Sequence, residues 1–344
     1  METVSVVIPC YNEERFILKA LQQLLHQYDN DRYEILVVDG LSSDGTRSLI
    51  AGFQRDNPGV PIRLVDNPVR NIPTALNLGV AASRGNIIAR MDAHAAPSPG
   101  YIRRCVDVLS ETDAAIVGAP CRVQPGAPTL MARAIAFAVS HPLGIGDAKY
   151  RLGNAGPLQE PVDTVAFACF RRSVWDDLGG FNEHLLANED YDFNYRVRQS
   201  GRNVLLDRRE HCDYFARTTL SSLAKQYLRY GRWKAEMVRL NPRSIRIRHL
   251  AAPVFILSLV FLAALGAVWR PAWWLLLVEI GVYLLAGLAA GAQAMIKTKS
   301  SPLIVLLMPL VFATIQLTWG ASFLARFFGS PLSLLRERVA RSAG

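Results

Sequence analysis

The chain has 344 residues, of which 51% are hydrophobic and 19% charged, with 38 Lys and Arg against 29 Asp and Glu and a formal net charge of +9. Its mean hydropathy of +0.16 excludes a disordered or fibrous protein and is high for a wholly soluble one. The charge excludes a nucleic-acid reader, whose bases would sit on the folded domain: residues 1–217 hold 23 bases and 26 acids, whereas the excess lies in 218–250 (eight bases, one acid) and 251–344 (seven bases, two acids).

In chain order, residues 4–8 are a continuous apolar run closed by Pro9, the pattern of a buried parallel strand. Asn12 is expected to cap a helix whose positive end suits Glu13 and Glu14 and whose apolar face carries Ile17, Leu21, Leu24, Leu25 and Tyr28. A strand over 34–38 leads into a polar turn from Asp39 to Gly45. Then come a helix over 46–53, a strand over 62–65, a helix over 73–83 and a strand over 86–91 that runs into Asp92. This alternation predicts a doubly wound α/β sheet. Ligands of such sheets sit at the carboxyl ends of the strands, where 9–13, 39–44 and 92–94 fall. Residues 97–217 are less regular, with long loops expected over 120–128 and 141–161, a strand over 162–170 and a helix over 191–199. The five cysteines have no CxxC spacing and read as buried free thiols. The N-terminus lacks a basic region followed by an apolar run, so this domain is expected to stay in the cytosol.

Beyond residue 217 the character changes. Leu220, Leu223, Tyr227, Tyr230, Trp233, Met237 and Leu240 recur every three or four residues, with Lys225, Arg229, Arg232 and Arg239 on other faces. The region 218–250 is thus expected to be a basic amphipathic helix lying in a membrane interface, the alternative being a surface helix packed on its own protein. Three apolar runs follow, 251–269, 272–294 and 302–325, each long enough to span a bilayer. Trp269, Trp273 and Trp274 form an aromatic belt, and Arg243, Arg246, Arg248, Lys297 and Lys299 suit the cytoplasmic side. Three spans would put the basic tail 326–344 on the far side. Either the tail is an exception to the positive-inside rule or the third segment, kinked at Pro309 and broken by Gly320, re-enters. Glu279 is costly inside a span, with Gln316 its expected partner.

The blocks Val6-Val7-Ile8-Pro9-Cys10-Tyr11-Asn12-Glu13-Glu14, Val37-Val38-Asp39 through Asp44-Gly45-Thr46, and Arg90-Met91-Asp92-Ala93-His94 together resemble glycosyltransferase family 2 and its GT-A fold. Gly179–Glu183, Asn188-Glu189-Asp190 and Gln226–Trp233 also match. The Met-Asp-Ala-His form and Tyr-Gly-Arg-Trp before three spans resemble the membrane-bound succinoglycan-type glucosyltransferases of bacterial polysaccharide synthesis. The resemblance implies a nucleotide site at Pro9, Tyr11, Glu13, Asp39, Asp92 and Ala93. It places a divalent metal, Mn or Mg, on Asp92 and His94, and the catalytic base at Asp190. Glu189, Arg232 and Trp233 fall to the acceptor and diphosphate side, and His211 is a candidate third metal ligand.

The chemistry agrees. A metal neutralises charge on a departing diphosphate, and imidazole in place of a second carboxylate favours Mn²⁺ over hard Mg²⁺. Alternatively, His94 contacts phosphate directly, or stands behind Asp92 as the lone ligand. An aromatic ring packs on a base, and a carboxylate accepts from ribose or uracil. Glu13 also reads as a helix-dipole residue, Asp44 as a cap, and Glu183 and Asp192 as capping groups or partners of Arg196. Deprotonation of an acceptor hydroxyl by Asp190, opposite the nucleotide, gives inversion. The expected protein is a plasma-membrane, multi-pass transferase with a cytoplasmic catalytic domain, moving a hexose from a UDP-sugar to a lipid-linked glycan. The rival enzymes are a polyprenyl-phosphate glycosyltransferase and a processive synthase; a non-catalytic membrane scaffold is the rival from another class. A dinucleotide oxidoreductase is disfavoured, since no GxGxxG follows the first strand.

Overall fold

A computed structural model describes residues 2–153 and 156–329, so all of the expected basic tail from residue 330 on lies outside the described residues. The chain divides into two compact units. The first takes residues up to Arg122 and Ala148–Tyr214; the second takes Val123–Asp147 and the chain from Phe215 onward. The segment 123–147, inside the region 1–217 expected as the catalytic domain, groups with the second unit, and the loops expected over 120–128 and 141–161 take in only its two ends.

The strands are β1 Val4–Cys10, β2 Tyr33–Asp39, β3 Ile62–Asp66, β4 Ile87–Arg90, β5 Ala96–Pro97, β6 Ala114–Gly118, β7 Cys121–Pro125, β8 Gln159–Pro161, β9 Cys169–Arg171, β10 Asn203–Asp207 and β11 Cys212–Ala216. The helices are α1 Ile17–Leu24, α2 Thr46–Asp56, α3 Ile72–Ala82, α4 Tyr101–Glu111, α5 Leu130–Ala138, α6 Pro142–Ile145, α7 Arg172–Leu178, α8 Glu189–Gln199, α9 Leu220–Leu240, α10 Ile247–Gly266, α11 Pro271–Thr298 and α12 Leu303–Phe328.

In the first unit an eight-stranded sheet has the order β3-β2-β1-β4-β9-β6-β10-β8. Strands β3, β2, β1 and β4 run parallel, and β9 lies antiparallel between β4 and β6. This is the doubly wound mixed sheet expected from the alternating pattern. Side chains alternate across it. Val4, Val6, Ile8, Ile35, Val37, Ile87 and Ala89 join one core with α1, α2 and α4. Val7, Val38 and Ile88 join the other with α3, α7 and α8.

Two expectations fail locally. Helix α1 begins only at Ile17, with Phe16 at its N-cap and no side-chain cap; Asn12 instead takes a left-handed φ of +54° and accepts from the Ser43 amide at 2.9 Å. The 162–170 strand shrinks to β9, because Phe167 turns to φ +50° and breaks the extended run.

In the second unit, α9 opens with a Thr219–Ser222 capping box. Its apolar face, including Tyr227, Gly231, Ala235 and Val238, packs on α12. A Cβ on Gly231 would sit 2.2 Å from the Trp319 carbonyl oxygen. The helix expected in a membrane interface thus covers that face with protein and exposes Lys225, Leu228, Arg229 and Arg232. Helices α10, α11 and α12 are each long and apolar enough to cross a membrane. Helix α12 passes through Pro309 and Gly320 unbroken. Gly320 allows the α10 backbone close at Ala252, and Gly287 and Gly291 of α11 meet Pro309 and Val305 of α12, the small-residue packing that brings apolar helices together. Glu279 accepts from Ser258 at 2.5 Å. Its expected partner Gln316 donates to the Leu143 carbonyl instead.

Candidate active site

The carboxyl ends of β1, β2 and β4 lie side by side, and the segments that leave them are laced together. Ser42 donates its amide and hydroxyl to Asp39, at 2.9 and 2.5 Å, and accepts from the Asn12 amide at 2.8 Å. Arg47 bridges Asp39 and Asp66, 2.8 Å from each. The side chain of Asp39 is wholly buried, so both its oxygens already serve the loop. Asp44 accepts from the Thr46 amide at 3.0 Å, but it stands one residue before Gly45, the N-cap of α2, and so outside the cap position expected of it. Asn71 caps α3 by accepting from the Thr74 amide at 2.8 Å. Non-glycine residues in left-handed backbone gather here, namely Asn12, Leu41 and Arg70, and such strain persists where the surroundings over-determine it.

Pro9 is half-buried near the end of β1. Tyr11 is 46% exposed; its ring lies against Gly40, where a Cβ would come within 3.0 Å of it, and Arg70 stands 5.7 Å from the ring centroid. Glu13 reaches across to the segment after β4, its Oε1 3.3 Å from His94 Nδ1. Ala93 points into the core, so only its backbone is available to a ligand. Asp92 is a quarter exposed and pairs with Arg90 at 3.0 Å.

From the other side comes α8, whose first turn carries Glu189, Asp190 and Asp192 at the positive end of the helix dipole. Asp192 pairs with Arg196 at 2.8 Å, and Glu183 accepts from Asn77 at 2.9 Å. Asp190 accepts from the Tyr191 amide at 2.7 Å and lines a narrow cavity with Arg90, Phe167, Phe170, Phe193 and Asn194. Glu189 is buried, 3.4 Å from Arg90. Burial first, and then the charge of Asp190, push its carboxyl up to about 7 against the pull of Arg90. Burial also works against the charge of Arg90, but Asp92, Glu189 and Asp190 outweigh it and hold the guanidinium above its ordinary value.

Among the described residues no group of three or more His, Cys, Asp or Glu is placed to hold a metal ion unaided. His211 is tied through its backbone to Ser98 and does not join Asp92 and His94 in such a group. Arg232 (exposed) and Trp233 (half-buried) lie on α9 in the second unit. Arg90, Ser42 and Arg47 were not picked out from the sequence. An arginine in an otherwise apolar four-residue strand, needing a partner, was the available signal for the first.

The sequence profile of glycosyl transferase family 2 matches residues 5–179. The chain belongs to glycosyltransferase family 2. It is similar to the succinoglycan biosynthesis protein ExoA of Rhizobium meliloti, 28% identical over 92% of this chain and 93% of that protein. Glycosyltransferase AglE of Haloferax volcanii is 28% identical over 71% of this chain and 76% of that one. The fold is shared with the mannosyltransferase PcManGT of Pyrobaculum calidifontis, solved in complex with GDP-Man and Mn²⁺, at a TM-score of 0.62 and 19% identity over 95% of this chain and 87% of that one.

Proposed function

We propose that this family 2 enzyme transfers a hexose, with inversion and the help of a divalent metal, from a UDP-sugar to a lipid-linked glycan in polysaccharide synthesis. It would do so anchored in the plasma membrane by α10–α12, with the first unit on the cytoplasmic side. The relative named for succinoglycan biosynthesis, which aligns along nearly the whole chain, supports the polysaccharide setting. The neighbour solved with GDP-Man and Mn²⁺ supports a nucleotide-sugar donor and a metal.

The observation that carries the reading is the Glu13–His94 contact beside Asp92. A ligating imidazole commonly gives its other N–H to a carboxylate, which fixes the tautomer. Glu13 stands where it would receive Nδ1–H, turning Nε2 into the metal-facing nitrogen. One carboxylate and one imidazole suit an ion that completes its shell with phosphate oxygens. Asp92 and His94 would hold that ion, which when bound neutralises charge on the departing diphosphate.

The chain's own groups supply the rest. Tyr11 offers a half-exposed face to a base. Asp39, with both oxygens engaged, holds Ser42 and Arg47 in place and so shapes the nucleotide loop from behind. Asp190, fixed by the Tyr191 amide, accepts the proton of the acceptor hydroxyl as it attacks the anomeric carbon from the face opposite the diphosphate.

Membranes containing the protein, incubated with labelled UDP- and GDP-hexoses and lipid-linked oligosaccharides, test this. One labelled hexose on the lipid, formed only with metal present, is expected. A product independent of metal, or a long polymer, defeats the corresponding part of the reading.

A further inference from the structure

Arg90 closes β4, where strand alternation turns it, like Ile88, toward the α3 and α8 side of the sheet. It is 7% exposed, and an arginine so buried requires partners. Its Nη2 lies 3.0 Å from Asp92 Oδ1 and 3.4 Å from Glu189 Oε1, and its Cζ lies 5.9 Å from the Phe167 ring centroid. Phe167 keeps its ring there from a left-handed backbone, φ +50°, with its carbonyl pinned by the Tyr101 hydroxyl at 2.9 Å. The strain that interrupts the expected strand thus builds a seat for this one guanidinium.

We propose that Arg90 is a positioning residue for sugar transfer: a single guanidinium nitrogen ties the donor-side carboxylate Asp92 to the acceptor-side carboxylate Glu189 and keeps the two halves of the site in register. This rests on the transfer reading given above. The charged groups facing Glu189 are Arg90 and Asp92, at and just after β4, and Asp190 on its own helix. Without the cation three carboxylates would crowd a largely apolar pocket, and α8 would move or take up a proton. Lysine keeps the charge, but its compact ammonium on a shorter, flexible stem does not reach the place Nη2 holds between the two carboxylates. Arg90→Lys therefore separates bridging from charge, and Arg90→Met removes both.

The test uses the full-length protein in lipid nanodiscs. Infrared difference spectra against Glu189→Gln isolate the protonated carboxyl band of Glu189 as pH is varied. In Arg90→Met the loss of that band is expected to move up by about one pH unit or more. An unmoved titration overturns the proposal whether or not the protein transfers sugar. A shifted titration in a protein that transfers no sugar counts against the transfer reading and leaves the tie between the two residues standing.

Arg90→Lys, which does not depend on the methionine variant folding, is expected to titrate near the wild type. Its kcat should fall about tenfold with donor KM within about twofold; an unchanged kcat overturns the proposal. In a Glu189→Gln background the same change should cost less than about threefold, since residues acting through one another are non-additive. A full tenfold loss there means the two act separately, and also overturns it.

Discussion

Glu13 and His94 leave the ends of two adjacent parallel strands and meet at 3.3 Å, carboxylate oxygen to Nδ1. The contact joins the segment after β1, which carries Tyr11, to the segment after β4, which carries Asp92. If Glu13 sets the tautomer of a metal-facing imidazole, Glu13→Gln should weaken Mn²⁺-dependent UDP binding by about tenfold to a hundredfold, with little change in metal-free binding. Titration calorimetry with and without Mn²⁺ reads this, and equal losses in both would place Glu13 on the nucleotide instead.

Glu189 makes stability depend on pH. Its folded-state pKa is raised, to about 7 from 4.5, so the favourable contribution of its protonated form is complete below the unfolded value and is lost as pH rises through the folded one. Glu189→Gln escapes that loss. Relative to wild type it should gain stability between about pH 5 and 8, by of the order of 3 kcal/mol at the upper end. Chemical denaturation at the two pH values checks the sign; a constant difference would mean that the carboxyl is charged throughout.

Arg47 holds two acids, of which Asp39 is wholly buried and Asp66 exposed. Arg47→Ala should cost about 2 kcal/mol: less than the loss of a fully buried pair, because Arg47 is itself about a third exposed, but more than a surface bridge. If Asp39 works by shaping the loop, the variant should also weaken UDP binding several-fold. Denaturation and calorimetry on one preparation give both values, and tight binding in a destabilised protein would separate Asp39 from the nucleotide site.

Gly79 in α3 lies so close to the sheet that a Cβ would meet Val7 at 2.3 Å and Val38 at 2.9 Å. Gly79→Ala gains up to about 1 kcal/mol of helix propensity but overpacks the core at a cost of about 1–3 kcal/mol. A net destabilisation of about 1–2 kcal/mol is expected from urea unfolding, without loss of secondary structure.

The first half of the sheet was legible because buried parallel strands write themselves as apolar runs. The expected strands at 4–8, 34–38, 62–65 and 86–91 all lie within about two residues of β1 to β4. Three further features depend on long-range contacts that no local pattern encodes. Asn12 carries the right side chain for a cap, but its bond to Ser43 across the loop won over the helix. The run at 162–170 has strand composition, yet Phe167 turns out of line to meet Arg90. The apolar stripe of α9 was visible as a stripe, but not that α12 would cover it. In the site, the acids at 39, 92 and 190 could be picked out, whereas the burial of Asp39 behind Ser42 and Arg47 and the bridge from Arg90 to Glu189, 99 positions on, exist only in the folded chain.

Asp190 is proposed as the group that takes the acceptor proton. The rate of hexose transfer to a lipid-linked acceptor should drop by about a hundredfold to ten-thousandfold in Asp190→Asn, with UDP affinity within about threefold of wild type. Transfer at an undiminished rate, with the nucleotide bound as before, would contradict it.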